Sequence, residues 1–235
     1  GRFALEITSF GGEVHFYNRT LSKVKHMVEA VFVSHYPDVE ITEVEDYMKK
    51  LPQTVVEAKA RGLDVWASEL VLSREDAYPI KTYVDFEEIE EGRQFDPISS
   101  LLELFSKAKP QEFAAIQINI QPLPPSWRKQ WEVLVDKLQR EGTRASGGDE
   151  EEGFLLKSPG QINVLKAVEH NLTNPAFTTL IRLMYLSPKA LLYGGYARKG
   201  LANAFNQYGS IDLNSFRHNY AMWTFVSWGY KPFFF

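Results

Sequence analysis

The chain has 235 residues, of which 44% are hydrophobic and 24% are charged, the proportions of an ordinary globular protein with a sizeable core. Its formal net charge of -4 argues against a generally basic nucleic-acid-binding protein, while leaving room for a local basic patch. The lack of cysteine excludes disulfides, thiolate metal sites and cysteine nucleophiles. No apolar run approaches the roughly 20 residues that span a bilayer.

The N-terminal residues predict a β-hairpin. Residues 3–10 and 13–20 are rich in strand-forming side chains, and they meet at Gly11-Gly12. Two glycines tolerate the positive φ angles of a tight hairpin turn, so this prediction rests on both composition and turn chemistry.

The next segment predicts a helix and then a strand. Apolar residues repeat at helical spacing after Ser22, and Pro37 predicts an end to the helix near His35. From 38 to 45 acidic residues alternate with Val, Ile and Thr. This alternation predicts a strand whose acidic face points to solvent.

The remainder alternates predicted strands with predicted helices. Strands are predicted over 65–72, 81–86, 116–121 and 177–188, and helices after the capping residues Asp96, Ser126 and Ser158 and over 196–209. The aromatic residues from 215 onwards are poorly periodic and predict a partly buried loop or a final strand.

Glycine, serine and four consecutive acids at 142–153 predict a flexible linker or loop. We therefore expect an N-terminal domain at 1–141 and a second half at 154–235, incomplete or packed on the first. Hairpins and strand–helix–strand units favour an α+β class with two ferredoxin-like halves, a mostly antiparallel sheet and helices on one face.

The sequence carries no common catalytic signature. It lacks the phosphate-binding loop, the dinucleotide fingerprint, the zinc-protease helix motif and the serine-hydrolase elbow. The five histidines are scattered. The acid row consists of Glu40, Glu43, Glu45 and Asp46. It fits either a site for a hard cation or the solvated face of a strand, and the strand face explains the alternation more simply. We expect no catalytic residue, metal or cofactor.

Two surface features remain open on sequence grounds. The aromatic cluster around Trp223 and Trp228 fits an interface and core packing equally well. Basic residues near the starts of three predicted helices, among them Arg19 and Lys23, fit an anion-binding surface, although ordinary surface charge explains them more simply.

Several stretches together resemble a known family. They are "LEITSFGGEVHFYNRT", "VKHMVEAVFVSHYPDVEITEVEDY", "DAYPIKTYVDFE", "DPISSLLELFSKAKPQEFAAIQINIQP", "IRLMYLSP" and "ARKGLANAFNQY". The chain is similar to an uncharacterised domain family found in type IV secretion and conjugation gene sets, particularly in candidate-phylum bacteria. These motifs are structural and imply a family but no activity.

The resemblance implies a non-catalytic structural and interaction module of a membrane-associated, type IV secretion-like or conjugative DNA-transfer machine. Its partners would be other secretion-machine proteins, including a hexameric ATPase, and further copies of itself. It would lie at the cytoplasmic face of the membrane as the soluble domain of a longer protein, with membrane contact only through segments outside this chain. The expected partner-contact residues are Tyr36, Asp38, Glu40, Trp223 and Trp228.

The alternative function is single-stranded nucleic-acid binding. Ferredoxin-like sheets stack bases on exposed aromatic side chains and hold the backbone with Lys and Arg. The candidate contacts would be Phe16, Tyr17, Arg19 and Lys23. The acidic balance of the chain weighs against this alternative.

Overall fold

The computed structural model describes residues 3–87, 96–141, 143–144, 155–192, 196–219 and 224–225. Its strands are β1 (Phe3–Phe10), β2 (Glu13–Arg19), β3 (Leu63–Leu72), β4 (Phe113–Pro122), β5 (Thr143–Arg144), β6 (Leu155–Leu156), β7 (Phe177–Pro188), β8 (Phe216–His218) and β9 (Thr224–Phe225). Its α-helices are α1 (Lys25–His35), α2 (Val55–Ala60), α3 (Tyr83–Glu87), α4 (Pro97–Ser106), α5 (Glu132–Arg140), α6 (Pro159–Thr173), α7 (Lys189–Leu192) and α8 (Tyr196–Asn203). Short 3-10 helices cover Ser22–Val24, Tyr47–Lys50, Pro125–Trp131 and Asn206–Tyr208.

One antiparallel sheet organises the fold. Its strands follow the order β2-β1-β4-β7-β3-β8, and β9 also pairs with β3. Strand β7, which follows the predicted linker, lies between β4 and β3, which precede it. Residues from both predicted halves therefore share one sheet.

The first hairpin forms as its glycines predict. Gly11 and Gly12 have φ angles of 60° and 98°, which side chains with a Cβ rarely adopt. The turn also lies against a neighbouring loop, since a Cβ added to Gly11 would lie 2.8 Å from Pro110 Cα. Both the backbone conformation and the close approach thus require glycine at this position.

The larger core lies on one face of the sheet, under α4 and α8. Trp66 on β3, Tyr185 on β7 and Phe105 on α4 are almost fully buried here. The helices approach closely because Gly200 of α8 has no side chain: a Cβ there would clash with the side chain of Leu104 on α4. Helices α4 and α8 thus pack closely on the central strands and cover this core.

A second core lies on the opposite face. It contains Val65, Phe113 and Leu186 from the sheet, covered by the 3-10 helix Tyr47–Lys50 and by α2. Phe113 to Ile116 on β4 are all buried, so both faces of this strand need a covering layer.

The α+β class with an antiparallel sheet is confirmed. Helices α4 and α8 share one face, as expected, and the structure adds α2 and the 3-10 helix Tyr47–Lys50 on the other face. Of the predicted linker at 142–153, only Thr143–Arg144 lie within the described residues, where they pair with Leu155–Leu156.

Two predicted strands are wrong. Residues 38–45 form no strand, because the alternating segment is exposed and pairs with none of the strands among the described residues. Residues 83–87 form helix α3. There the Asp85 carboxylate accepts hydrogen bonds from the backbone N–H and the hydroxyl of Thr82, a local cap that outweighs the strand propensity of Tyr, Val and Phe.

Candidate protein-interaction surface

Residues 20–45 form an excursion from the sheet that we call the arm. It leaves at the end of β2, runs through the 3-10 helix Ser22–Val24 and through α1, and returns as an irregular segment before Tyr47. No residue of the arm is buried. An amphipathic helix normally packs one side against a core, and α1, like α5, has no buried residue.

Apolar side chains are exposed along the whole arm. Met27 of α1 is 64% exposed and Tyr36 at the helix end is also 64% exposed. The full set of exposed large apolar residues in the arm is Leu21, Met27, Val31, Val33, Tyr36, Val39, Ile41 and Val44. Exposed apolar residues concentrated in one segment are typical of a surface that contacts another protein.

An ion pair holds the two limbs of the arm together. Lys25 Nζ, at the start of α1, lies 2.6 Å from Glu43 Oε2 on the returning segment. This hydrogen bond and charge raise the pKa of Lys25 and lower the pKa of Glu43. At the far end, the Val39 backbone N–H donates to the Tyr36 carbonyl at 3.0 Å and turns the chain back.

The base of the arm is closed by Arg19 and Asp46. The guanidinium of Arg19 donates to both carboxylate oxygens of Asp46, at 2.8 and 2.9 Å. The Arg19 hydrogen bond lowers the pKa of Asp46, although burial opposes the shift. Asp46 also caps the next 3-10 helix by accepting from the Met48 N–H at 3.0 Å. The arm therefore starts and ends at one fixed point.

A buried carboxylate anchors that point to the sheet. Glu6 on β1 is 3% exposed and accepts hydrogen bonds from Arg19 Nε at 3.2 Å and Gln117 Nε2 at 3.1 Å. The Tyr47 hydroxyl also donates to Glu6. Burial, followed by the hydrogen bond to Glu6, raises the pKa of Tyr47. Three donors offset the cost of burying this charge.

The acid row predicted at 40–46 divides into two roles. Glu43 and Asp46 form the ion pairs just described, whereas Glu40 and Glu45 are exposed. Across the described residues, no three or more His, Asp and Glu side chains form a group that could hold a metal ion. The row is arranged to fasten the arm and to keep it soluble.

The structure places three of the five expected contact residues in the arm. Tyr36, Asp38 and Glu40 are exposed where α1 ends and the chain returns. Trp223 and Trp228 lie outside the described residues. The sequence analysis missed the fastening of the arm by Glu6, Arg19 and Asp46, which depends on contacts between distant segments.

The candidates for nucleic-acid contact are in mixed environments. Phe16 is 62% exposed and Lys23 is exposed as well. Tyr17 is partly covered by Tyr47, whose ring stacks on it with centroids 4.8 Å apart. The guanidinium of Arg19 is engaged by two carboxylates. Arg19 is thus largely neutralised as a phosphate-binding charge.

One serine–histidine pair has the composition of a catalytic dyad. Ser68 Oγ lies 2.8 Å from His218 Nδ1 where β3 and β8 meet. Ser68 is 2% exposed, however, and lies on the face covered by the larger core. Because Ser68 is buried, a substrate cannot reach its hydroxyl. The Ser68–His218 pair is therefore explained as a hydrogen bond inside the sheet.

Residues 3–224 match the family model described as a domain of unknown function, DUF8128. Because the match spans most of the chain, this protein belongs to the DUF8128 family. No curated protein and no solved structure matches it. Among the described residues, no helix is both long enough and apolar enough to cross a membrane.

Proposed function

We propose that this DUF8128 domain is a non-catalytic interaction module and that the arm is the surface by which it holds a partner protein. The observation that carries the proposal is the arm itself, a helix and return segment with exposed apolar residues and no buried residue, fastened at its base. Monomeric soluble proteins seldom expose a large apolar surface unless it contacts a partner.

The stability of α1 supports this interpretation. The helix has 11 residues, and isolated helices of that length are marginal in water. Within the domain α1 gains no buried side chain. A partner that covers Met27, Val31 and Tyr36 would supply the packing that the sheet does not, in the manner of an amphipathic helix lying in an apolar groove.

Charge limits the chemistry of that partner. The arm contains five carboxylates, Glu29, Asp38, Glu40, Glu43 and Glu45, against two lysines, Lys23 and Lys25. An acidic rim around apolar residues disfavours an anionic lipid surface or a phosphate backbone. It favours a protein with an apolar groove bordered by Lys and Arg.

The resemblance to domains of type IV secretion and conjugation gene sets supports a setting for this contact. We infer that the domain serves a membrane-associated DNA-transfer or secretion machine, at the cytoplasmic face of the membrane. In that setting the first partner to test is a hexameric ATPase of the kind such gene sets encode. Attachment to the membrane would come from segments outside this chain.

The test is co-purification with the products of neighbouring genes, the ATPase first. Val31→Asp puts a charge at the centre of the proposed contact, and we expect it to abolish co-purification. The domain should stay folded, because Val31 is 55% exposed. Val133→Asp is the matched control, since Val133 is an exposed valine on a different helix, α5.

Two results would contradict the proposal. One is a stable complex with the ATPase that Val31→Asp leaves intact and that forms equally well without the arm. The other is robust turnover of ATP or a phosphoester by the purified domain alone. A complex lost in Val31→Asp and kept in Val133→Asp would support it.

A further inference from the structure

Strand β2 is an edge strand in the part of the chain that the structure describes. It lies at the end of the sheet order, and β1 is the strand with which it pairs there. Its seven residues, Glu13–Arg19, contain no proline and no lysine and pair with β1 in continuous register. Natural proteins usually interrupt such an edge, because it is a template for another strand.

The turn determines which backbone groups face outwards. Phe10 and Glu13 flank a two-residue turn and so form a hydrogen-bonded pair, and such pairs alternate along the hairpin. The N–H and C=O groups of Val14, Phe16 and Asn18 therefore point away from β1. Among the described residues, the arm makes no backbone hydrogen bond to them.

The strand is complementary to itself about Phe16. When two copies of β2 lie antiparallel on a two-fold axis through this residue, Val14 of one meets Asn18 of the other, so the outward groups of both strands match. Glu13 then lies opposite Arg19, and His15 opposite Tyr17. The aromatic pair facing across the two strands stabilises the sheet, and the Glu13–Arg19 pair contributes a hydrogen bond, because the charge of Arg19 is already balanced by Glu6 and Asp46.

We propose that two copies of this chain pair through β2 to form one continuous sheet. Phe16, which is 62% exposed in the single chain, packs on its own symmetry mate at the axis. Arg19 retains N–H donors beyond those given to Glu6 and Asp46, so the incoming Glu13 carboxylate has a partner. The occupant of this edge is a second copy, in contrast to the separate protein proposed for the arm.

The lack of cysteine makes the register directly testable. In the full chain, Phe16→Cys places a thiol opposite its own copy, with Cα atoms about 5.5 Å apart, within the range of a disulfide. Mild oxidation should then yield a covalent dimer of twice the 27.0 kDa chain mass. The matched control is Asn18→Cys, whose two copies would be about 13 Å apart and should stay unlinked.

A second variant tests the backbone pairing. Phe16→Pro removes an N–H that points outwards, so the hairpin with β1 keeps its hydrogen bonds. We expect its dimer dissociation constant in sedimentation to rise at least about tenfold, with unchanged circular dichroism. Phe16→Thr keeps the N–H and should weaken the dimer less. Val31→Asp, in the arm, should leave dimerisation unchanged, which separates this proposal from the proposed function.

Three results would overturn the pairing. They are a chain that stays monomeric up to about 1 mM, equal cross-linking of Phe16→Cys and Asn18→Cys, and a dimer that persists undiminished in a folded Phe16→Pro variant. A monomer that binds a single-stranded oligonucleotide through Phe16 would also overturn it, in favour of nucleic-acid binding. If Phe16→Pro fails to fold, the cysteine pair still decides.

Discussion

Helices α1 and α4 show how similar patterns lead to different positions in one molecule. Each carries apolar residues at helical spacing. Helix α4 buries Leu101, Leu104 and Phe105 against the sheet and α8, whereas α1 buries nothing. The pattern thus predicts a helix in both cases and leaves open what the apolar side faces.

The different burial of α1 and α4 predicts different roles, with α4 contributing to stability and α1 to recognition. Removing side chains from α4 opens a cavity in the core, whereas removing the exposed ones from α1 changes mainly the surface that the domain presents to solvent. If the arm is a contact surface, these helices should respond oppositely to substitution, with stability changing in one and binding in the other.

The largest expected effect is in α4. Phe105 is fully buried, and Phe105→Ala should lower the free energy of unfolding by about 3–5 kcal/mol in urea denaturation. Phe32 in α1 is only partly covered, and Phe32→Ala should cost about 1 kcal/mol. Equal losses in the two variants would mean that the arm contributes to the core after all.

A smaller effect is expected where α8 meets α4. Gly200→Ala forces a methyl group against Leu104, and we expect a loss of about 1–3 kcal/mol in thermal or urea unfolding. Gly160→Ala in α6 is the control, because its nearest neighbour would be Ser158 Oγ at 3.9 Å. That variant should be neutral or slightly stabilising, since alanine favours helix over glycine. A stabilised Gly200→Ala variant would argue against the tight crossing.

The smallest effect concerns the base of the arm and depends on pH. Arg19 lowers the pKa of Asp46 in the folded state, so the stabilisation is present above the unfolded value of about 4 and is lost as pH falls through the folded value. Because both side chains are partly exposed, Asp46→Asn should cost no more than about 1 kcal/mol at pH 7. Asparagine can still cap the 3-10 helix, which isolates the ion pair.

This effect is measured by urea denaturation at pH 7 and at pH 3. The gap between wild type and Asp46→Asn should narrow at pH 3, because below the unfolded pKa of about 4 the unfolded chain takes up a proton that the ion pair keeps off the folded one. Asp38→Asn is the control, because Asp38 is exposed and has no ion pair among the described residues. A gap that widened in acid would contradict the sign of the pKa shift.

The sequence was sufficient where structure depends on neighbouring residues. Gly11-Gly12 predicted the hairpin, and Asp96 with Pro97 predicted the start of α4. The strand 177–188 was predicted with the bounds that β7 has. The helix at 83–87 was also within reach, since Thr82 followed by Asp85 three residues later is a capping pattern.

Features that depend on distant contacts were out of reach. The alternation at 38–45 matched the pattern of a strand, but a strand also needs a neighbouring strand to pair with. Among the described residues, no strand pairs with this segment. The burial of Glu6 depends on Arg19, Tyr47 and Gln117, which come from three other segments. The sequence therefore pointed to Tyr36, Asp38 and Glu40 as contact candidates, but it did not reveal that the arm containing them has no buried residue.

The closed base of the arm has a consequence for variation in the arm's length. Arg19 and Asp46 bring the two ends of the arm side by side. The sheet is therefore joined to the arm through this closed base alone, whatever the length of the segment beyond it. Doubling a flexible loop between fixed ends costs only about 0.6 kcal/mol. A change in the length of this segment should accordingly leave the sheet and its two cores folded as they are.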